Sequence, residues 1–272
     1  MRPAASTLAL AAVFVAALSM SGCQAATPDA APAPADGAAL PRGSDPVELD
    51  PAAFSPDITN EYWPMRPGTR WTYREVDEEG HVLAVTVTVS TETKRIANGI
   101  TARVVRDTVT EAGTLVEDTF DWYAQDDAGT VWYLGEDTAE FEDGEVATRE
   151  GSFEAGVDGA LPGVIMPAAP ADGLAYRQEY YSGEAEDNGE ILSTAEMADV
   201  PAGHFDDVLL TKDTITIEPD VLEYKLYAPG VGPVLVFGVS GGGGREELVE
   251  MTQVSDRVAR AAGTTPLGET YG

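Results

Sequence analysis

The sequence predicts an all-β protein, an antiparallel meander that curls into a strongly bent sheet or a partly open barrel and carries one long irregular loop. Apolar and polar residues alternate with a period of two in several segments, as they do on a strand with one buried face. Short turns containing Gly, Asn or Asp separate these segments, and no amphipathic helix longer than about three turns is found. Because parallel strands need long crossovers, sequential hairpins indicate an antiparallel sheet.

The predicted strands begin at Thr69. The clearest alternation spans residues 83–90, where four aliphatic residues alternate with Ala, Thr and Ser. Asn98-Gly99 is a strong hairpin signal because both residues accept positive φ, and turns are also predicted at Ala112-Gly113 and Asp127-Ala128-Gly129. The other strands are expected near residues 100–110, 114–125, 130–136, 175–181, 208–217, 222–228, 234–239 and 246–254.

The segment 151–173 departs from this pattern and is predicted to be the irregular loop. It carries Leu161, Val164, Ile165 and Met166. Loops of this length inside a domain are often functional. The alternative is that the loop folds over an open end of the sheet and plugs it.

The first residues have the plan of an export signal. Arg2 precedes an apolar stretch from Leu8 to Leu18, which is shorter than the roughly 20 residues that a transmembrane helix needs. Met20-Ser21-Gly22-Cys23 resembles the lipobox of bacterial lipoproteins, in which the signal is cut before the cysteine and a diacylglycerol is attached to it. The resemblance implies a signal peptide at 1–22 and a palmitate-type acyl anchor on Cys23, the only cysteine. An ordinary secretory signal with an incidental cysteine is the alternative.

Composition divides the remainder of the chain. Residues 23–53 are rich in Ala and Pro and are predicted to be a disordered tether, residues 54–257 a single β-rich domain, and residues 258–272 a flexible tail. Such a protein is expected outside the cytoplasm, anchored by lipid to the outer face of the cell membrane or in the cell envelope. The formal net charge of −31 argues against nucleic acid as a partner and leaves cationic partners open.

Four phrases of sequence carry a family resemblance. They are NEYWPMRPGTRWTY at 60–73, DWYAQD at 121–126, VWYLGE at 131–136 and KLYAPGVG at 225–232. Their order resembles a group of bacterial exported proteins of unknown activity with the pattern PGTxWxY … VWYxGE … YAPGVG. The resemblance covers about residues 54–254 and implies a single β-rich domain on a lipoprotein tether, with no activity attached.

A search for catalytic motifs finds no convincing set, so neither a catalytic residue nor a cofactor is predicted. His81 and His204, the two histidines, both lie beside turn residues, which is typical of surface positions. The motifs CxxC and HExxH and the phosphate-binding glycine loop do not occur in the sequence.

The hairpin around Gly129 provides the candidate ligand site. A three-residue loop predicts that Gln125 faces Val131, Tyr123 faces Tyr133 and Asp121 faces Gly135. One surface then carries Phe120, Trp122, Trp132 and Leu134 as a core face. The other carries the candidate ligand-binding residues Asp121, Tyr123, Gln125 and Tyr133, unless it is an ordinary solvated face.

Three functions remain open at this point. The leading hypothesis is a non-catalytic, membrane-tethered domain that binds a small ligand or an envelope protein. The second is an envelope hydrolase that uses paired carboxylates such as Asp121 and Glu136. The third is a structural surface protein, with Asp126, Asp127 and Glu136 as weak candidates for calcium ligands.

Overall fold

A single antiparallel sheet dominates the computed structural model, which describes residues 39–241 and 244–272. The predicted signal peptide, Cys23 and the first part of the predicted tether lie outside the described residues. Within them, no helix is long and apolar enough to cross a membrane. The strands are β1 (Phe54–Ser55), β2 (Thr69–Val76), β3 (Val82–Arg95), β4 (Thr101–Glu111), β5 (Thr114–Asp126), β6 (Val131–Glu142), β7 (Glu145–Thr148), β8 (Phe153–Glu154), β9 (Gly163–Met166), β10 (Ala175–Arg177), β11 (Asp187–Val200), β12 (Gly203–Ile215), β13 (Leu222–Ala228), β14 (Gly232–Ser240) and β15 (Arg245–Gln253).

The sheet consists of two meanders placed side by side. Strands β2 to β7 follow one another as neighbours, and so do strands β10 to β15. The last strand, β15, then pairs with the first long strand, β2, with Leu248 opposite Tyr73 and Met251 opposite Trp71. This one non-local pairing joins the two meanders, and the sheet does not close into a barrel. The prediction of an all-β, antiparallel, bent sheet is confirmed.

The aromatic contacts of Trp63 show how strongly the sheet bends. Tyr123 on β5 and Tyr227 on β13 lie six strand positions apart, which is about 29 Å in a flat sheet at ~4.8 Å per strand. The Trp63 ring centroid is nevertheless 6.0 Å from that of Tyr123 and 5.3 Å from that of Tyr227. The sheet therefore curls until strands that are far apart in its order face one another.

Strand positions differ from the prediction mainly in the second meander. The 14-residue strand β11 was not predicted, and β12 begins at Gly203 rather than near residue 208. Half of the residues of β11 are polar, and its pairing with β12 contains three register shifts, so the alternation of a regular strand is lost. The segment 151–173 is also more ordered than predicted, because it contains β8 and β9, both paired with β6.

Segments on both sides of the predicted β-rich domain pack on it in the structure. Part of the predicted tether packs on the domain, since the buried Arg177 side chain donates to the carbonyl oxygens of Gly43 and Asp45. The predicted flexible tail begins inside helix α1 (Asp256–Thr264), which buries Ala259 and Ala262. The Ala, Pro, Gly and Asp residues of the tether offer little to build a core of their own, but here the domain supplies the buried partner.

A buried ion pair holds the C-terminal segment. Arg106 on β4 is fully buried and forms a two-point pair with Asp118 on β5. Its guanidinium also donates to the carbonyl oxygens of Thr265 and Pro266, and Asp118 accepts from the backbone N–H of Gly268. These contacts place the C-terminal residues on the face of β4 and β5 opposite to Asp107 and Asp121.

Candidate functional site

A cavity of about 240 Å³ opens on the inner side of the bend. Seven neighbouring strands, from β13 through β15 and β2 to β5, contribute to its lining. The segment 63–65 and Ile165 of β9 complete the wall. Since side chains on a strand alternate between faces, one face of these strands supplies the whole floor of the cavity.

Aromatic side chains form the wall of the cavity. Trp71 and Tyr73 project from β2, and each bonds its polar group to the β13–β14 hairpin: Trp71 Nε1 donates to the Val231 carbonyl at 2.8 Å and Tyr73 Oη to the Pro233 carbonyl at 3.1 Å. Trp63 lies between Tyr227 and Tyr123. The aromatic surface is therefore held by backbone contacts before any ligand arrives.

The placement of Trp63 depends on polar contacts at the end of the β5–β6 hairpin. The side-chain oxygen of Gln125 accepts from the backbone N–H groups of Thr59 and Asn60, both at 2.8 Å. The Asn60 amide then donates to the carbonyl oxygens of Gly129 and Pro167. These bonds fix the loop that carries Trp63 over the cavity.

Three carboxyl groups and one amine line the floor, those of Asp107, Asp121, Glu246 and Lys225. The Lys225 ammonium is already paired, at 3.0 Å from a carboxylate oxygen of Asp213 and 3.8 Å from one of Glu223. The three carboxyl groups make no ion pair among the described residues. The floor therefore carries an excess of acid.

Burial shifts the protonation of these acids. Desolvation, followed by the nearby charges of Asp121, Glu246 and Glu117, raises the pKa of Asp107 well above its usual range. Burial and the neighbouring Glu75 raise the pKa of Glu246 to about 7. The unliganded cavity thus holds protons near neutral pH that free carboxyl groups would have lost.

Two buried polar atoms in this lining have no hydrogen-bond partner. They are Oδ1 of Asp107, an acceptor when ionised, and Nε1 of Trp63, a donor. Buried polar atoms are normally paired, and leaving one unpaired costs about 1–3 kcal/mol. Both residues line the same cavity. A molecule bound there would supply what the protein does not.

Asp121 also belongs to a carboxyl pair beside the cavity. Tyr133 Oη lies 2.7 Å from a carboxylate oxygen of Asp121 and 2.8 Å from one of Glu136. One phenol has one hydrogen, so both contacts are hydrogen bonds only when one carboxyl group is protonated. Burial raises the pKa of Asp121 to about 7, and burial together with the charge of Asp121 raises the pKa of Glu136 to about 8.

Gly135 explains why the pair forms. The predicted registers of Gln125 with Val131 and of Tyr123 with Tyr133 are confirmed, whereas Asp121 faces Glu136 rather than Gly135. Gly135 has φ +126°, and a Cβ there would lie 2.2 Å from the Phe153 carbonyl oxygen of β8. The register shift beside this glycine brings Glu136 opposite Asp121.

The four predicted ligand-binding residues separate into different positions. Asp121 and Tyr123 line the cavity, and Tyr133 stacks on Tyr123 at 4.8 Å behind them. Gln125 does not line it and acts on the loop that carries Trp63. The predicted core face is largely buried, with Trp122, Trp132 and Leu134 shielded and Phe120 partly so. Both faces of this hairpin are therefore covered.

The weak calcium candidates do not form one site. Asp126 is used inside its turn, where it accepts from the N–H groups of Ala128 and Thr130 and from Trp132 Nε1. Glu136 contacts Tyr133, whose side chain lies on the opposite face from Trp132. Across the part of the chain that the structure describes, no group of three His, Cys, Asp or Glu side chains is arranged to hold a metal ion.

The two histidines lie apart from the cavity. His81 pairs with Asp77 and His204 with Asp199, and both histidines are about half exposed. The hydrogen bond and charge of the aspartate partner raise the pKa of each imidazole. The interpretation of both as surface residues is confirmed, although His204 lies within strand β12 rather than in a turn.

Sequence reasoning missed most of the cavity. Asp121 and Tyr123 were selected as ligand-binding residues, whereas Asp107, Lys225 and Glu246 were not. A usable signal was present, because the phrases at 60–73, 121–126 and 225–232 supply Trp63, Trp71, Tyr123 and Tyr227 to it. The unusual aromatic content of these phrases marks the cavity, although their meeting point depends on the non-local pairing of β15 with β2.

Comparison with known proteins adds little to this description. No protein-family model and no curated protein matches the chain. Among solved structures, it is similar to a predicted lipoprotein from Parabacteroides distasonis, with 14% identity and a TM-score of 0.39, over 71% of this chain and 99% of that one. Because the TM-score is below 0.5, this similarity establishes neither a shared fold nor a shared function.

Proposed function

We propose that this chain is an exported lipoprotein, anchored by acylation of Cys23 at the outer face of the cell membrane or in the cell envelope, whose domain binds a small ligand without chemical change. The observation that supports binding is the cavity, in which preset aromatic walls surround two unpartnered polar atoms. Its volume of about 240 Å³ lies just below the usual range of ligand pockets, which favours a small ligand over a protein segment.

The binding proposal is tested by filling the cavity. The mature chain from Cys23 to Gly272, with Cys23→Ser to keep it soluble, would be screened by thermal shift against small organic molecules. Val236→Phe places a ring in the cavity, whereas Val239→Phe adds the same bulk at a half-exposed position on the same strand. Stabilisation by a compound that Val236→Phe abolishes and Val239→Phe retains supports the proposal. No stabilisation by any compound points instead to a structural surface protein.

The anchor is tested separately. Mass spectrometry of the mature N-terminus is expected to show an acylated Cys23, and Cys23→Ser is expected to release the protein from the membrane fraction. A free Cys23 thiol, or cleavage at another position, contradicts the proposal of a lipid anchor.

An envelope hydrolase is the second candidate, favoured by the pair of carboxyl groups on Tyr133. Asp121 and Glu136 titrate near neutral pH, as a general acid and base do. Only Asp121 lines the cavity, however, so a substrate held there meets one member of the pair. Hydrolysis of a chromogenic glycoside or ester that is lost in a folded Asp121→Asn variant would favour this candidate over binding alone.

A further inference from the structure

We propose that the ligand of the cavity is a small organic cation, an alkylammonium or aryl-ammonium compound, which inserts its charged group between the aromatic wall and the Asp107 carboxylate. This inference rests on the function proposed above and specifies its ligand class. Three observations carry it, namely the unpaired acids of the floor, the aromatic wall, and the two polar atoms that lack partners.

The charges that surround the cavity select a cation. Asp107, Asp121 and Glu246 face it, and the ammonium of Lys225 is committed to Asp213 and Glu223. An anionic ligand would approach three buried carboxyl groups with no free cation among the described lining residues. A cationic ligand would instead supply the countercharge that these groups lack.

The aromatic wall also favours a cationic ligand, through cation–π attraction rather than through charge pairing. Trp63, Trp71 and Tyr227 line the cavity, and aromatic rings attract a cation more strongly when water is excluded. Trp63 and Tyr227 lie only 5.3 Å apart between ring centroids, with their planes tilted by 49°. The two rings are in contact, so they form one continuous aromatic surface against which an ammonium group can pack.

The two polar atoms without partners indicate which hydrogen-bonding groups the ligand carries. Oδ1 of Asp107 needs a donor, which an ammonium N–H or a hydroxyl group supplies. Nε1 of Trp63 needs an acceptor, such as a hydroxyl or carbonyl oxygen. The ligand therefore combines a cationic group with at least one oxygen, as an amino alcohol does.

Protonation of the floor adds a testable linkage. Asp107 is faced by Asp121, Glu246 and Glu117, and the pKa of Asp107 is raised well above its usual range. A cation favours the ionised carboxylate, so binding must release a proton wherever Asp107 is protonated beforehand. Affinity for a cation is expected to rise as pH rises, whereas affinity for a neutral molecule is not.

The experiment uses pairs of molecules that share a shape and differ in charge. Choline is compared with 3,3-dimethylbutan-1-ol, and ethanolammonium with propan-1-ol, by calorimetry on the mature Cys23→Ser chain. At least one cation is expected to bind with a Kd below about 1 mM and at least about tenfold more tightly than its neutral counterpart. Asp107→Asn is expected to remove this preference.

A matched control separates the cavity from the acidic surface as a whole. Asp199→Asn makes the same substitution at an exposed side chain, where it removes one negative charge from the surface, and the cation preference is expected to persist in it. Equal loss in both variants would show that the net charge alone attracts the cation, which overturns the proposal.

The two proposals fail in different ways. If the neutral counterparts bind as tightly as the cations, the cavity binds ligands but the cation class is wrong. The same holds if a neutral compound from the thermal-shift screen is bound and no cation is. If no compound binds and Val236→Phe changes nothing, the proposed function itself is wrong.

Discussion

The carboxyl groups of Asp121 and Glu136 lie on either side of a single hydroxyl group. The two residues are cross-strand partners on β5 and β6, and each has an oxygen within 2.8 Å of Tyr133 Oη. Since the phenol has one hydrogen to donate, this arrangement is satisfied when the pair retains one further proton. A shared proton at the edge of the cavity couples the stability of the domain to pH.

The first prediction concerns that coupling. The pKa of Asp121 is raised to about 7 and that of Glu136 to about 8, so the native state holds protons that the unfolded chain releases near pH 4. The free energy of unfolding therefore falls as pH rises from about 4 towards 8. The free energy of unfolding in urea is expected to be larger at about pH 5.5 than at about pH 8.5 by on the order of 5 kcal/mol, about 2 from Asp121 and about 3 from Glu136.

Glu136→Gln is expected to flatten this dependence and to stabilise the domain at the higher pH. Glu142→Gln removes a carboxylate at an exposed position on the same strand and is expected to leave the slope unchanged. Equal stability of the unaltered protein at both pH values would contradict the shared proton.

The second prediction tests the glycine that creates the pair. Gly135→Ala places a Cβ 2.2 Å from the Phe153 carbonyl oxygen at φ +126°, and we expect a loss of about 3 kcal/mol or more. Gly113→Ala also has positive φ, +84°, but meets no atom within 4 Å, so a loss of about 1 kcal/mol is expected. Similar losses in the two variants by urea unfolding would exclude the steric explanation.

The third prediction concerns the ion pair beneath the C-terminal segment. Arg106→Met leaves the Asp118 carboxylate buried without its cation, which is expected to cost about 3–5 kcal/mol. Arg149→Met breaks the half-exposed pair with Asp137 and is expected to cost less than about 1 kcal/mol.

Amide exchange distinguishes the role of Arg106 from a general loss of stability. Arg106 donates to the carbonyl oxygens of Thr265 and Pro266, so Arg106→Met is expected to speed exchange in α1 before the rest of the sheet. Adding Asp118→Leu is expected to restore part of the stability, because the unpaired charge is then removed. No recovery in the double variant would contradict this account.

Features of the fold that depend on neighbouring residues were predicted correctly, whereas features that depend on contacts between distant residues were not. Turn chemistry at Asp127-Ala128-Gly129 is local, and it sets the register of Tyr123 with Tyr133 correctly. Further along the hairpin, the register depends on how closely β8 approaches Gly135, which is a tertiary contact. The position of Glu136 opposite Asp121 was therefore out of reach of local rules.

The cavity could not be predicted from the sequence, because it too depends on contacts between distant residues. Asp107 and Glu246 belong to different meanders, and only the pairing of β15 with β2 brings them to one floor. The contacts of the C-terminal segment were not predicted either, because their partner, Arg106, is buried in β4. A charged residue within a strand pattern gives no local sign of which distant carbonyl groups it will bind.

The last prediction concerns Gln125, a predicted ligand-binding residue that acts one step away from the cavity. Its side-chain oxygen accepts from the N–H groups of Thr59 and Asn60, and this holds the loop that carries Trp63. Gln125→Ala is expected to speed amide exchange at both residues by about tenfold, since each hydrogen bond contributes about 0.5–1.5 kcal/mol. Gln125→Glu keeps the accepting oxygens and is expected to retain most of the protection. If choline binds as proposed, its affinity should fall in the alanine variant and persist in the glutamate variant, because the loop that carries Trp63 loses its support only in the first. Unchanged exchange at Thr59 and Asn60 in Gln125→Ala would show that other contacts, such as those of the Asn60 amide, suffice to hold Trp63 in place.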